Sequence, residues 1–137
     1  MREKLVENIY SQGYPEEETA PIVTLEDFFE GNSDESSIGC NLMEHPGIET
    51  FYGVLRNIRE KDNVQDVFVE IMELEDDEED WPFSERIYIL TNAEIELVED
   101  WVKILEPSEL DEGYAFGQPP FAPELFDGYK VYSVWWD

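Results

Sequence analysis

The chain has 137 residues, of which 42% are hydrophobic and 14% aromatic, enough for the core of a single domain. Thirty-five acidic residues stand against eight basic ones, a net charge of -27, which repels DNA, RNA and anionic membrane surfaces because their ligands need Lys and Arg clusters to displace counterions. The partner that this charge suits is a basic protein.

Residues 2 to 12 predict a short helix with Leu5, Val6 and Ile9 on its apolar side; Gly13 and Pro15 end it, and residues 1 to 20 are expected to form a loosely packed arm. Thr24 is placed to cap a second short helix, with Asp27 at its third position and Gly31 closing it. Cys40 is the single cysteine, so an internal disulfide is excluded, and with no basic neighbour in sequence its thiol is expected to be a small buried hydrophobe. No apolar run has signal-peptide or membrane-spanning length, which points to the cytoplasm. From 46 to 61, Ile48, Phe51, Tyr52, Leu55 and Ile58 recur at three- and four-residue intervals, the pattern of an amphipathic helix, and Arg56, Arg59 and Lys61 favour its C-terminal end.

The stretch from 64 to 91 organises the chain. Val67, Val69 and Ile71 alternate with Phe68, Glu70 and Met72, and Ile87 and Ile89 with Tyr88 and Leu90, so two strands flank the acidic run that begins at Glu73. Between 62 and 80 there are ten acids and no base, a density that cannot be buried and belongs at an exposed hairpin tip. Thr91 to Glu94 matches a capping box, and Ile95, Val98, Trp101, Val102 and Leu105 predict a helix over about 92 to 105. Residues 107 to 128, rich in Gly, Pro and aromatics, predict an ordered loop over the body. The chain closes on an alternating strand expected to join the hairpin. Its neighbours Trp135 and Trp136 point to opposite sides; Trp135 shares the face of Val131 and is assigned to packing, which leaves Trp136 for a surface.

These elements predict one α+β domain over 1–137, a mostly antiparallel sheet with the helices at 46 to 61 and 92 to 105 packed on one face. The pattern offers no catalytic constellation. A single His45 and a distant Cys40 make neither a zinc site nor a nucleophile and base pair, and the glycines lack the Lys and Ser or Thr of a phosphate-cradling loop. The acidic run lacks the ligand spacing and turn glycine of a calcium loop, so no metal and no cofactor are expected. The candidate partner-binding residues are Glu75, Asp76, Asp77, Glu78, Glu79, Asp80, Trp81, Phe83 and Trp136: aromatic anchors inside an acidic rim, as a binder of a basic protein surface requires.

The pieces Thr24-Leu25-Glu26-Asp27-Phe28-Phe29-Glu30-Gly31, Gly39-Cys40-Asn41-Leu42, Val64-Gln65-Asp66-Val67, Trp81-Pro82-Phe83-Ser84 and Val134-Trp135-Trp136-Asp137 resemble those of small acidic bacterial immunity proteins of contact-dependent or polymorphic toxin systems. The resemblance implies a protein that neutralises a co-produced toxin, commonly a basic nuclease, and carries no set of functional residues with it. Two other classes fit the charge: a DNA-mimic regulator that binds a DNA-binding protein, and, last, an enzyme with carboxylate chemistry.

Overall fold

A computed structural model describes residues 2–74 and 80–137. Five strands form one antiparallel sheet in the order β1-β2-β3-β5-β4, where β1 is Ile22–Thr24, β2 Val64–Glu70, β3 Arg86–Thr91, β4 Glu109–Glu112 and β5 Lys130–Trp135. The helices are α1 (Arg2–Ser11), α2 (Leu25–Phe29), α3 (Ile48–Arg59) and α4 (Ile95–Val102). Among the described residues no helix is long and apolar enough to cross a membrane.

The period-two pattern decides which side chains line each face. The register sets Val67 opposite Ile89, Val69 opposite Ile87, and these in turn opposite Tyr132 and Val134. This face is the floor of the main core, and Ile9, Phe28, Phe51, Leu55, Val98 and Val102 from the four helices belong to the same buried cluster. Each such aliphatic or aromatic side chain contributes about 1.5–3 kcal/mol by leaving water. The opposite face carries Phe68, Tyr88, Leu90 and Val131, with Tyr114 and Ala122 from the chain after β4 packed against them. The sheet is therefore buried on both sides, which explains why β2 and β3 read as apolar on both their faces.

The helix ends follow local chemistry. Thr24 Oγ1 accepts the Asp27 N–H at 3.1 Å and caps α2, and Gly31 supplies the positive φ of 79° for the turn that follows. α3 buries Ile48, Phe51, Leu55 and Ile58 and carries Arg56 and Arg59 in its last turn. The expected capping box at 91 to 94 does not form. Thr91 stays in β3 and its hydroxyl donates to Asn63 O at 2.5 Å while accepting the Ala93 N–H. That hydroxyl is committed to the turn, so α4 starts at Ile95 with Glu94 at its N-cap.

Two further expectations are corrected. The stretch expected as a loose arm over 1 to 20 is anchored through α1, whose Leu5 and Ile9 lie in the main core. Gln12 donates to Ile22 O at 2.8 Å and accepts the Ile22 N–H at 3.0 Å, so its amide pairs with the edge strand β1 as another strand would. Within 107 to 128, the acidic Glu109–Glu112 pairs with β5 as β4, a strand hidden from the sequence because Leu110 is its single apolar residue. The loop beyond it does lie over the body.

If α1 is part of the core, Ile9→Ala should lower stability by about 2–5 kcal/mol, the range for removing a fully buried aliphatic side chain. Urea denaturation measures this directly. A change within about 0.5 kcal/mol would restore the loose arm.

Candidate functional site

Four of the expected contact residues, Asp80, Trp81, Phe83 and Trp136, are among the described residues. Glu75, Asp76, Asp77, Glu78 and Glu79 lie outside the described residues. Asp80 is exposed, and its carbonyl accepts the Arg2 Nε–H at 2.7 Å. Phe83 is half-buried and its backbone pairs with Glu73 and Met72, which extends the hairpin past the strands. Trp81 and Trp136 are corrections. Trp81 is 8% exposed and belongs to the main core. Trp136 is 1% exposed, lies edge-on to Phe51 at 5.4 Å, and donates its Nε1–H to Leu105 O at 2.7 Å. The physical reason is parity: Trp136 shares a face with Tyr132 and Val134 against the helices, whereas Trp135 shares the second face with Val131 and is half-buried. Neither Trp81 nor Trp136 offers its ring to a partner in this conformation.

Other candidates resolve as follows. Cys40 is exposed instead of buried. His45 Nδ1 accepts the Gly47 N–H at 2.9 Å, which leaves the proton on Nε2 to bond Ile38 O at 2.7 Å. The ring also packs on Phe51, so His45 serves to hold the loop before α3. Among the described residues no cluster of His, Cys, Asp and Glu could hold a metal ion.

Sequence reading missed a buried charged network on the second sheet face. Glu70, 2% exposed, pairs across the strands with Arg86, and Arg86 with Trp135. Glu70 Oε1 is 3.6 Å from Arg86 Nη1, and Oε2 accepts the Tyr88 hydroxyl proton. Tyr88 in turn accepts the Ala115 N–H at 3.1 Å, which ties the loop after β4 to the sheet. The Arg86 guanidinium lies 5.5 Å from the rings of both Phe116 and Trp135. Burial raises the Glu70 carboxyl above its ordinary value against the opposing pull of Tyr88 and Arg86, and burial followed by the charge of Glu70 raises the Tyr88 hydroxyl. The signal in the sequence was a glutamate in the middle of an apolar alternation.

The exposed acids form a surface that no run in the sequence announces. Glu96, Glu99 and Asp100 of α4 face Glu106 and Glu109 across a groove of about 490 Å³, whose one basic lining residue is Lys103. A second groove of about 600 Å³ shares Glu106 and Ser108 with it and adds Glu44, Asp137 and the fully exposed Met43. Ion pairs elsewhere join Arg59 to Glu26, Arg86 to Glu70 and Lys130 to Glu112. The Arg59 guanidinium, by hydrogen bonds of 2.7 and 2.5 Å, holds the Glu26 carboxyl below its ordinary range. The arrangement suits electrostatic attraction.

The Glu70 geometry fixes a sign for pH dependence. Its folded pKa lies above the ordinary 4.5, so its contribution to stability is full below that ordinary value and is lost as the pH rises through the folded one. The stability difference between wild type and Glu70→Gln should therefore move in favour of wild type as the pH falls from neutrality toward that ordinary value. Urea midpoints across that range check it; a difference that does not change with pH would mean that Glu70 ionises as easily folded as unfolded.

Known proteins place the chain in a family. The profile of the Uncharacterized protein YfbO family matches residues 1–134. Uncharacterized protein YfbO from Escherichia coli (strain K12) is 38% identical over 118 residues, 85% of this chain and 83% of that protein. No solved structure matches the chain. With a family profile spanning nearly its whole length and a relative of this identity and coverage, the chain belongs to the YfbO family.

Proposed function

We propose that the protein is a binding protein that neutralises a cationic protein partner, and that in its specific form it is an immunity protein blocking a bacterial toxin such as a nuclease. The observation that carries this reading is the groove between α4 and β4, where Glu96, Glu99, Asp100, Glu106 and Glu109 meet a single Lys103. Eight basic residues cannot compensate thirty-five acidic ones internally. The surplus repels itself and costs stability, and a complementary basic surface relieves that repulsion on binding. Such a field also raises the association rate by steering the encounter, an advantage to an inhibitor that must reach its target before the target acts.

The test titrates the purified protein against a panel of basic proteins, including bacterial nuclease domains, while varying salt. At least one should bind, with an association rate that falls as salt rises, because exposed charges are screened beyond about 8–10 Å. Changing Glu96, Glu99 and Asp100 together to Lys should slow association about tenfold or more while the fold is kept, since these side chains are exposed. An unchanged rate in that variant, or no binding by any basic protein, would overturn the reading. Displacement of several unrelated DNA-binding proteins from DNA would transfer the function to DNA mimicry.

A further inference from the structure

Large apolar side chains are exposed along one segment that charge alone does not explain. After β4 the chain crosses the second sheet face as a strap, residues 113–129. Its inner side packs Tyr114 and Ala122 on the buried cluster of Phe68, Tyr88, Leu90 and Val131, and Pro119 is buried. Its outer side leaves Phe121 55%, Leu125 38% and Phe126 57% exposed, while Phe116, 48% exposed, lies beside the Arg86 guanidinium. Exposed apolar side chains gathered on one short segment are a feature of contact surfaces.

The strap is pinned along its length. Gly113 N–H donates to Val131 O at 2.8 Å, and Ala115 N–H to the Tyr88 hydroxyl at 3.1 Å. Farther on, Gln65 Nε2 donates to Glu124 O and its Oε1 accepts the Phe126 N–H, both at 2.9 Å. Turns closed by Ala122 N–H to Pro119 O and by Tyr129 N–H to Phe126 O hold the rest. Aromatic groups on a fixed backbone lose little conformational freedom when they are covered, which lowers one of the costs of binding there.

Charge selects the occupant. Between Lys103 and Lys130 the chain has no basic residue, while Glu106, Glu109, Asp111, Glu112, Glu124 and Asp127 are acidic. A second copy would bring the same net charge of -27 and be repelled, and an anionic lipid surface would be repelled likewise. Building on the cationic-partner reading, we propose that the outer side of the strap supplies the apolar half of the contact and receives an amphipathic basic segment of the partner, its apolar side chains on Phe121, Leu125 and Phe126 and its cations among the flanking carboxylates.

The experiment compares two peptide probes of equal positive charge at about 0.15 M salt: an oligolysine, and a peptide with the same lysines interleaved with Leu and Trp. The amphipathic probe should bind about tenfold tighter or more, equivalent to about 1.4 kcal/mol. Phe121→Ser with Phe126→Ser should remove that advantage and leave oligolysine binding unchanged. In wild type, amide shifts on adding the amphipathic probe should centre on residues 116–127, a readout that does not depend on the variant folding. Equal affinity for the two probes, an advantage that survives the double substitution, or shifts centred elsewhere would overturn the strap assignment alone. Failure of both probes to bind would overturn it together with the cationic-partner reading.

Discussion

β3 has a neighbour on each edge and is buried on both faces, and the rest of the molecule is arranged to meet that demand. Ile87 and Ile89 need a helical layer above them, which α3, α4 and α1 help to supply. Tyr88 and Leu90 need cover below, and the strap over residues 113–129 gives it without a helix. The Tyr88 hydroxyl shows how tightly the two layers are coupled: it donates to buried Glu70 and accepts the strap's Ala115 N–H, so one side chain satisfies a buried carboxylate and fastens the cover. A buried glutamate with half its partners removed would be costly, which makes Glu70, Arg86 and Tyr88 a unit that must be kept whole or replaced together.

Much of this architecture was legible because it rests on periodicity. The alternation Val67, Val69 against Phe68, Glu70, with that of Ile87 and Ile89, predicted the two strands of the central hairpin, and the three- and four-residue spacing of Phe51, Leu55 and Ile58 predicted α3. Thr24 as a cap was visible for the same reason: the chemistry is local. Long-range pairing was hidden. No local pattern reveals that Gln12 mimics a strand against Ile22, or that an acidic tetrapeptide completes the sheet edge as β4.

The candidate site was harder to see for a related reason. A run of acids attracts attention in a sequence, whereas Glu96, Glu99, Asp100, Glu106 and Glu109 are dispersed and become one groove only when α4 folds beside β4. The aromatics went astray through parity, since alternation divides Trp135 from Trp136 without saying which face holds the larger core. Trp136 is in that core, with its indole N–H spent on Leu105 O, and the exposed phenylalanine rings belong instead to the strap. The same folding step thus assembles acidic and aromatic surface at places that no run in the sequence marks.

A protein that carries this charge in a packed, two-faced sheet is suited to meet a basic surface, and the most direct measurement is to identify what it meets in the cell. Crosslinking in living cells, followed by isolation of the crosslinked species and mapping of the joined residues, reads both the partner and the contact. The account predicts a protein with a strongly basic surface, joined through the α4–β4 groove or the strap. A dominant partner that is acidic, or a basic one joined reproducibly through α1 or α3, would contradict it.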